Sequence, residues 1–329
     1  MPTQLGLFGA LGPDDEPMPD VAPAVHGDGV GALAARLPAG LRLGTSSWNF
    51  PGWRGLVYAP GAAKKHLSRF GLAAYARHPL FRTVGLDRAF YAPLTATEYA
   101  EHAAMVPPSF RFLVKAWEEL TSPTVRGKDG PNRRYLDADQ AIDLVLAPAV
   151  EGLGDRRGPL VFQFPPQGAA VTKEPQRFAD RLHGFLAALP PGTDAFVELR
   201  DAALLTGHYG EALAATATGH CFCVHPRLPP LARQLEVAGL PPAGRGVAVR
   251  WMLHAGLAYE AAKARYEPFD RLVDPDPGSR GAVAALIRRA LADLDEVTVV
   301  VNNKAEGSAP LSVIALAQDL AAADPPTSG

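Results

Sequence analysis

Short apolar runs rich in β-branched residues recur along the chain, with longer stretches of helical period between them. Eight runs read as strands: Leu41–Thr45, Thr83–Asp87, Arg111–Lys115, Pro159–Phe164, Ala195–Arg200, His220–His225, Val247–Trp251 and Val297–Asn302. The stretches Glu98–Met105, Asp137–Leu153, Gln176–Leu189, Gly281–Leu294 and Leu311–Ala322 read as helices. Thr97 stands where a cap for the first of these would, and Pro190-Pro191 stops the helix before the fifth strand. Strands alternating with helices predict a parallel sheet with right-handed crossovers. Eight such units in about 280 residues predict an α/β fold of the TIM (β/α)8 barrel type. An open doubly wound sheet is the alternative. It usually has fewer strands and a Gly-rich first turn, whereas the turn here is Gly44-Thr45-Ser46-Ser47-Trp48, with no G-x-G-x-x-G and no P-loop.

The ends differ from this pattern. Residues 1–40 have no sustained period and carry Pro13-Asp14-Asp15-Glu16-Pro17 and Gly27-Asp28-Gly29, so they read as a flexible tail. The barrel is expected over 41–322, with 323–329 a loose end. The tail lacks the basic start and apolar core of a secretory signal. No apolar run reaches the roughly 18 residues of a membrane span. Two cysteines in 329 residues exclude a disulfide scaffold. A cytoplasmic chain without a membrane partner is therefore expected. Net charge is -2, which excludes a chain basic throughout but not a basic face. Glycine and proline, 32 each, exceed the average share and should punctuate a chain of many turns.

In a barrel of this type the active site lies at the carboxyl ends of the strands, and this converts the strand list into a site list. The ends deliver Ser46 and Trp48, Asp87, Lys115, Gln163, Glu198 with Arg200, His225, Arg250, and Asn302 with Asn303 and Lys304. Charges are costly to bury without partners, so these groups should converge on a polar cleft. The plainer reading is an ion-pair network that only closes the barrel top. Glu198, Lys115 and Asp87 are the catalytic candidates: base or metal ligand, charge stabiliser, and base or metal ligand respectively. After the eighth strand, Ser308 is positioned to cap a helix with Pro310 in its first turn. Arg250, Lys304 and that helix start would form an anion site, the bland alternative being an ordinary capped helix. The loop Ser47–Tyr58 offers four aromatic rings; Trp48, Trp53 and, further on, Tyr91 are candidates to contact a ligand, or else plug the barrel mouth. The loop from Trp117 to Tyr135, with Arg126, Lys128, Arg133 and Arg134, reads as a lid or a solvated excursion. A divalent metal remains open: Asp87, Glu198, Asp201, His225, His254 and Glu306 offer ligands, but no H-E-x-x-H or paired CxxC spacing exists. Cys221 and Cys223 fall on one strand face and read as core thiols.

These strand ends resemble the YecE-like proteins, a bacterial family whose domain is of unknown function. The resemblance runs from about Leu43 to Leu320 through Gly44-Thr45-Ser46-Ser47-Trp48 with Pro51-Gly52-Trp53, Phe81-Arg82-Thr83-Val84 with Phe90-Tyr91, and Phe110–Lys115. It continues through Gly158–Pro166, Val197-Glu198-Leu199-Arg200, and Asn302-Asn303 with Glu306-Gly307 and Ala309-Pro310. It implies a TIM barrel similar to the xylose-isomerase and endonuclease IV type, and no particular reaction. The chain departs from the pattern at Gly85, where the family usually has Glu, and at Asp87, where it usually has Asn. It also departs at Val224-His225, where the family often has Asp, and in the seventh unit, Arg250-Trp251-Met252-Leu253-His254-Ala255-Gly256.

The tail carries Gln4-Leu5-Gly6-Leu7-Phe8, which looks like the pentapeptide that docks bacterial proteins on the DNA sliding clamp. Leu5, Leu7 and Phe8 would fill apolar pockets while Gln4 satisfies polar groups at the rim, or these residues pack back on the barrel. The combined expectation is an enzyme of DNA or nucleotide metabolism acting on a phosphate-bearing substrate, with phosphodiester hydrolysis the first reaction to test. The alternatives are a small-molecule barrel enzyme, such as a sugar or sugar-phosphate isomerase or hydrolase, and a non-catalytic module that binds DNA or a nucleotide.

Overall fold

The computed structural model describes residues 21–322 apart from 126, 128 and 129. Eight parallel strands close on themselves in chain order. They are β1 (Leu41–Thr45), β2 (Phe81–Leu86), β3 (Arg111–Lys115), β4 (Arg157–Phe164), β5 (Ala195–Leu199), β6 (Gly219–Val224), β7 (Val247–Trp251) and β8 (Val297–Val301). The eighth pairs with both the seventh and the first. The helices are α1 (Asp28–Ala35), α2 (Lys64–Tyr75), α3 (Arg88–Tyr91), α4 (Ala96–Ala104), α5 (Glu118–Thr121), α6 (Ala138–Ala141) and α7 (Ala147–Leu153). They continue with α8 (Ala169–Thr172), α9 (Pro175–Ala187), α10 (Gly207–Ala215), α11 (Leu231–Ala238), α12 (Tyr259–Tyr266), α13 (Pro277–Leu291) and α14 (Ala309–Ala322). This is the TIM barrel that the alternating pattern predicts.

Three local expectations change. Residues 21–40 are not a tail. Val21 and Ala24 are buried, and Ala24 N–H donates to the Val57 carbonyl while Ala59 N–H donates to that of Ala22. Helix α1 then lies beside α14, where the Arg36 guanidinium donates to the Ala321 carbonyl. The clamp-like pentapeptide Gln4–Phe8 falls outside the described residues. Second, the α4 cap is Thr95, not Thr97: Thr95 Oγ1 accepts from Glu98 N–H at 3.2 Å, and Glu98 Oε2 accepts from Thr95 N–H at 2.9 Å. Third, the helix expected over Asp137–Leu153 is interrupted by a π-helical turn at Ile142–Leu146 between α6 and α7.

Side chains alternate across each strand, so one set per strand points into the barrel. Deep inside, Leu113, Val161, Phe196, Cys221, Ala248 and Val300 form a closed apolar cluster. Two residues further along the same faces stand Lys115, Gln163, Glu198, Cys223, Arg250 and Asn302, joined from the first two strands by Ser46 and Asp87. Register supports this: Gln163 pairs with Glu198, Cys223 with Arg250, and Gly44 with Val300. The floor is thus apolar and the layer above it polar. Outside, Val114, Leu160, Phe162, Val197 and Val299 pack under the helices in the main core.

Candidate functional site

Glu198 is fully buried at the centre of the polar layer. Its Oε1 lies 2.5 Å from Arg200 Nη2, and its Oε2 accepts from Arg250 Nη1 at 2.5 Å. Arg250, also buried, donates from Nη1 to Gln163 Oε1 at 3.0 Å, and its Nη2 lies 3.5 Å from Asp87 Oδ1. Lys115 Nζ is 3.6 Å from the same Asp87 oxygen and 3.7 Å from the centre of the Phe90 ring. Arg200 Nη1 donates to Cys223 Sγ at 3.3 Å. The five charges Asp87, Lys115, Glu198, Arg200 and Arg250 therefore form one connected network.

Electrostatics separate the two carboxylates. Burial opposes ionisation of Glu198, but Arg200 and Arg250, with help from Lys115, overcome it and hold its pKa at about 2. That makes Glu198 an anion of the scaffold and a poor proton acceptor. Asp87 is the acid that reaches solvent, its side chain 32% exposed. Burial drives the Lys115 pKa down to about 8; Asp87 and Glu198 oppose this, and Arg250 and Arg200 add to it. Burial likewise lowers His225 to about 4, and Arg200 and Arg227 reinforce the shift, so the ring at the end of β6 is neutral. Burial pushes the Cys223 thiol up to about 12 and Cys221 well up, which fits core thiols rather than nucleophiles.

Gly85 is a buried glycine of β2, the position at which the resemblance leads one to expect Glu. A Cβ there would come within 2.9 Å of the Ser46 carbonyl oxygen, so β1 and β2 approach too closely for a side chain without a shift. The acid just past this strand is Asp87, two residues along, and it lies against Lys115 and Arg250.

Several expected ligand contacts are absent from this network. Trp53 is buried, stacks near Phe50 and Tyr75, and donates from Nε1 to Asn303 Oδ1 at 3.2 Å. It is a plug. Trp48 packs edge-on to His102 of α4, in the helical shell. Tyr91 is 69% exposed at the end of α3 and touches Phe90 edge-on. Asn302 turns its Oδ1 to the Lys304 N–H. The anion site expected at Arg250, Lys304 and Ser308 does not assemble. Arg250 is held by Glu198, Asp87 and Gln163, and Lys304 lies 4.1 Å over the Tyr259 ring and 5.9 Å from that of Phe269. The start of α14 is buried. Asn303, not Ser308, caps it by accepting from Ala309 N–H at 2.8 Å; the Ser308 hydroxyl makes no hydrogen bond among the described residues. The loop after β3 is anchored by Asn132, which donates to the Ser122 carbonyl at 2.8 Å. Arg134 pairs with Glu119 at 2.9 Å, Arg133 is exposed, and Arg126 and Lys128 lie outside the described residues.

The proposed metal ligands also disperse. Asp201 accepts from Gln167 N–H and pairs with Arg227, while Glu306 pairs with Arg280 at 2.9 Å and accepts from Asp276 N–H. Among the described residues no three His, Cys, Asp or Glu side chains gather to hold a metal ion. Phe90, which contacts Lys115, and Asn303 were not singled out for these parts by the sequence. Asn303 caps a helix from six positions upstream, beyond the spacing of a local cap rule.

The molecule is thus a (β/α)8 barrel with an ion-pair network at the carboxyl ends of its strands. A family model described as protein of unknown function DUF72 matches residues 42–328, and the chain belongs to that family. This is the family that the strand-end motifs resemble. A DUF72 family protein from Thermotoga maritima superposes with a TM-score of 0.57 at 20% identity, covering 85% of this chain and 98% of that one. One from Enterococcus faecalis gives 0.56 at 16% identity, covering 86% and 98%. At these identities the likeness concerns the fold. No curated protein matches the chain. No helix among the described residues is long and apolar enough to cross a membrane.

Proposed function

We propose that the barrel mouth binds a small anionic substrate, its phosphate or carboxylate meeting Lys115 and Arg200, and that Asp87 acts as the general base. One observation carries this reading: three cations share the network with two carboxylates, leaving one positive charge in a nearly closed site. A buried excess charge is costly until an anion offsets it. Lys115, with a pKa near 8, can also give a proton to a leaving group at neutral pH. Phosphate-ester hydrolysis and sugar-phosphate isomerisation are the reactions this arrangement serves best. The small-molecule reading gains over a nucleic-acid cleft because Trp48 and Trp53 turn away from the mouth and offer no stacking faces.

Sulfate, whose charge is constant over the relevant range, is the probe. Its affinity is expected to be level below pH 8 and to fall about tenfold per unit above it, as Lys115 loses its proton. Lys115→Met should abolish that dependence and weaken binding at least tenfold. Sulfate binding that is flat with pH, or unchanged in Lys115→Met, sinks the assignment.

A second reading rests on Gln4-Leu5-Gly6-Leu7-Phe8, which supports recruitment to the DNA sliding clamp and hence a nucleotide-bearing substrate. Wild-type protein should bind immobilised clamp in the micromolar range, as short apolar motifs do, and Leu7→Ala/Phe8→Ala should not. Equal binding by both removes the clamp from the account.

A further inference from the structure

The cations of the polar layer are held in two different ways. Arg250 donates to Glu198 and Gln163, and Arg200 donates to Cys223 and pairs with Glu198. The Lys115 amine makes no hydrogen bond among the described residues. It sits over the Phe90 ring at 3.7 Å, with Asp87 Oδ1 3.6 Å away. Local sequence builds this seat. Lys115 ends β3, and alternation from Leu113 of the apolar floor turns it up into the mouth. Leu86 of β2 pairs with Val114, so the next residue, Asp87, comes beside Lys115. Asp87 is also the N-cap of α3, and Phe90 N–H donates to its carbonyl at 3.2 Å. One short turn thus presents an acid and a ring together to one amine.

Charge favours a free amine there. As an ammonium, Lys115 makes three cations against Asp87 and Glu198; as an amine it leaves two against two. A guanidinium keeps its proton in a protein, whereas a desolvated amine can lose it. Burial, followed by Arg250 and Arg200 and opposed by Asp87 and Glu198, brings Lys115 from 10.5 to about 8. At pH 7 about one molecule in ten then carries the free amine, against about one in 3,000 for a lysine at 10.5. Lys304 is the contrast. It is buried and lies over the Tyr259 ring, but it makes no ion pair among the described residues, so no acid stands ready to take its proton.

We infer that Lys115 is a nucleophilic lysine that condenses with the carbonyl group of a small oxo acid to form an imine, while Arg200 takes the carboxylate. This step rests on the anion-site reading of the mouth and adds covalent chemistry to it. Asp87 Oδ1 accepts one proton from the Lys115 ammonium. The freed lone pair attacks the carbonyl carbon and a C–N bond forms. A second proton passes from nitrogen to the former carbonyl oxygen, giving a carbinolamine. Asp87 returns its proton to that hydroxyl, the C–O bond breaks, and water leaves as the nitrogen lone pair closes the C=N bond. Of the three ammonium hydrogens one stays on nitrogen and two leave in the water, and the positive charge passes to the iminium. The layer then again holds three cations against two carboxylates. The substrate's own carboxylate brings the count to three against three, and a neutral ketone does not.

Pyruvate and acetone are the probes, each added to the full chain with cyanoborohydride, which reduces an imine to a stable secondary amine. Intact mass and peptide mapping read the product. At pH 7 pyruvate is expected to label Lys115 at least about tenfold faster than Lys304 or the exposed Lys64, Lys65, Lys173 and Lys263. The ratio of Lys115 to the exposed lysines should be level below pH 8 and fall about tenfold per unit above it, where the exposed amines go on losing protons and Lys115 has already lost its own. Acetone should label Lys115 about tenfold more slowly than pyruvate does. Lys115→Arg keeps the charge and should show no preferred adduct. Labelling spread evenly over the lysines overturns the proposal, as does equal labelling of Lys115 by the two probes. A protein that binds sulfate with the expected pH dependence but gives no Lys115 adduct keeps the anion site and loses the imine. A pyruvate-selective Lys115 adduct on a protein whose sulfate binding is flat with pH supports the imine alone.

Discussion

Glu198→Ala is expected to destabilise the protein by about 3–5 kcal/mol, measured as the shift of the urea midpoint at pH 7. The carboxylate is fully buried and accepts from Arg250 while lying against Arg200. Removing it leaves two guanidinium groups and the Lys115 ammonium with Asp87 as their sole anion, in a layer whose floor is apolar. Such a loss is a large part of the 5–15 kcal/mol that holds a domain together. Glu198→Gln keeps the shape and an acceptor oxygen, so it should cost less. The double replacement Glu198→Leu/Arg250→Met should cost less than the sum of its parts, because it removes both sides of the pair. The wild-type protein should show the same interaction through pH. Glu198 has a folded pKa of about 2, below its usual 4.5, so it lends stability in full above 4.5 and loses it as pH falls toward 2. A Glu198→Ala protein within 1 kcal/mol of the wild type would show that the network carries no structural weight.

Trp53→Ala is expected to cost a further, independent 3–5 kcal/mol. The indole is buried, packs with Phe50 and Tyr75, and hydrogen-bonds to Asn303, which caps α14. Truncation opens a cavity and deprives Asn303 of one of its two partners. Trp53→Phe keeps most of the packing and loses the N–H donor, about 1 kcal/mol of hydrogen bonding. A ring that served as a ligand platform would behave in the opposite way, with little change in stability and a loss of sulfate affinity. The urea midpoint and the sulfate affinity of the same two variants therefore separate the roles.

These residues also show what the sequence reveals. Strand positions were legible because a parallel strand buried on both faces is a run of β-branched and aromatic residues, as in Val247–Trp251 and Val297–Val301. Glu198, Lys115, Gln163 and Arg250 were legible because each is a polar residue at the end of such a run, and alternation placed them together. Their partnerships were not. Whether Arg250 meets a ligand or Glu198 depends on distances across the barrel between β5 and β7, which no local pattern encodes. Trp48 and Trp53 look alike in sequence, yet the chain turns one into the helical shell and the other under the mouth. Residues 21–40 lack period because they cover the barrel as an irregular strap ending in a single helix, and lack of period is not lack of order. The Asn303 cap escaped because it reaches α14 by folding a loop back on itself.

The hydrogen bond between Trp53 and Asn303 joins residues 250 apart, from the first and last repeats of the barrel. The same two repeats meet where β8 fills the gap between β1 and β7. Neither junction exists before β8 and Asn303 have been made. A nascent chain stopped after β7 has two bare sheet edges and a Trp53 Nε1–H without its Asn303 acceptor, and both remain until β8 and the loop after it have left the ribosome. Completion of this barrel is therefore a closing step that waits for β8. Until then the growing barrel depends on whatever shields its open edges.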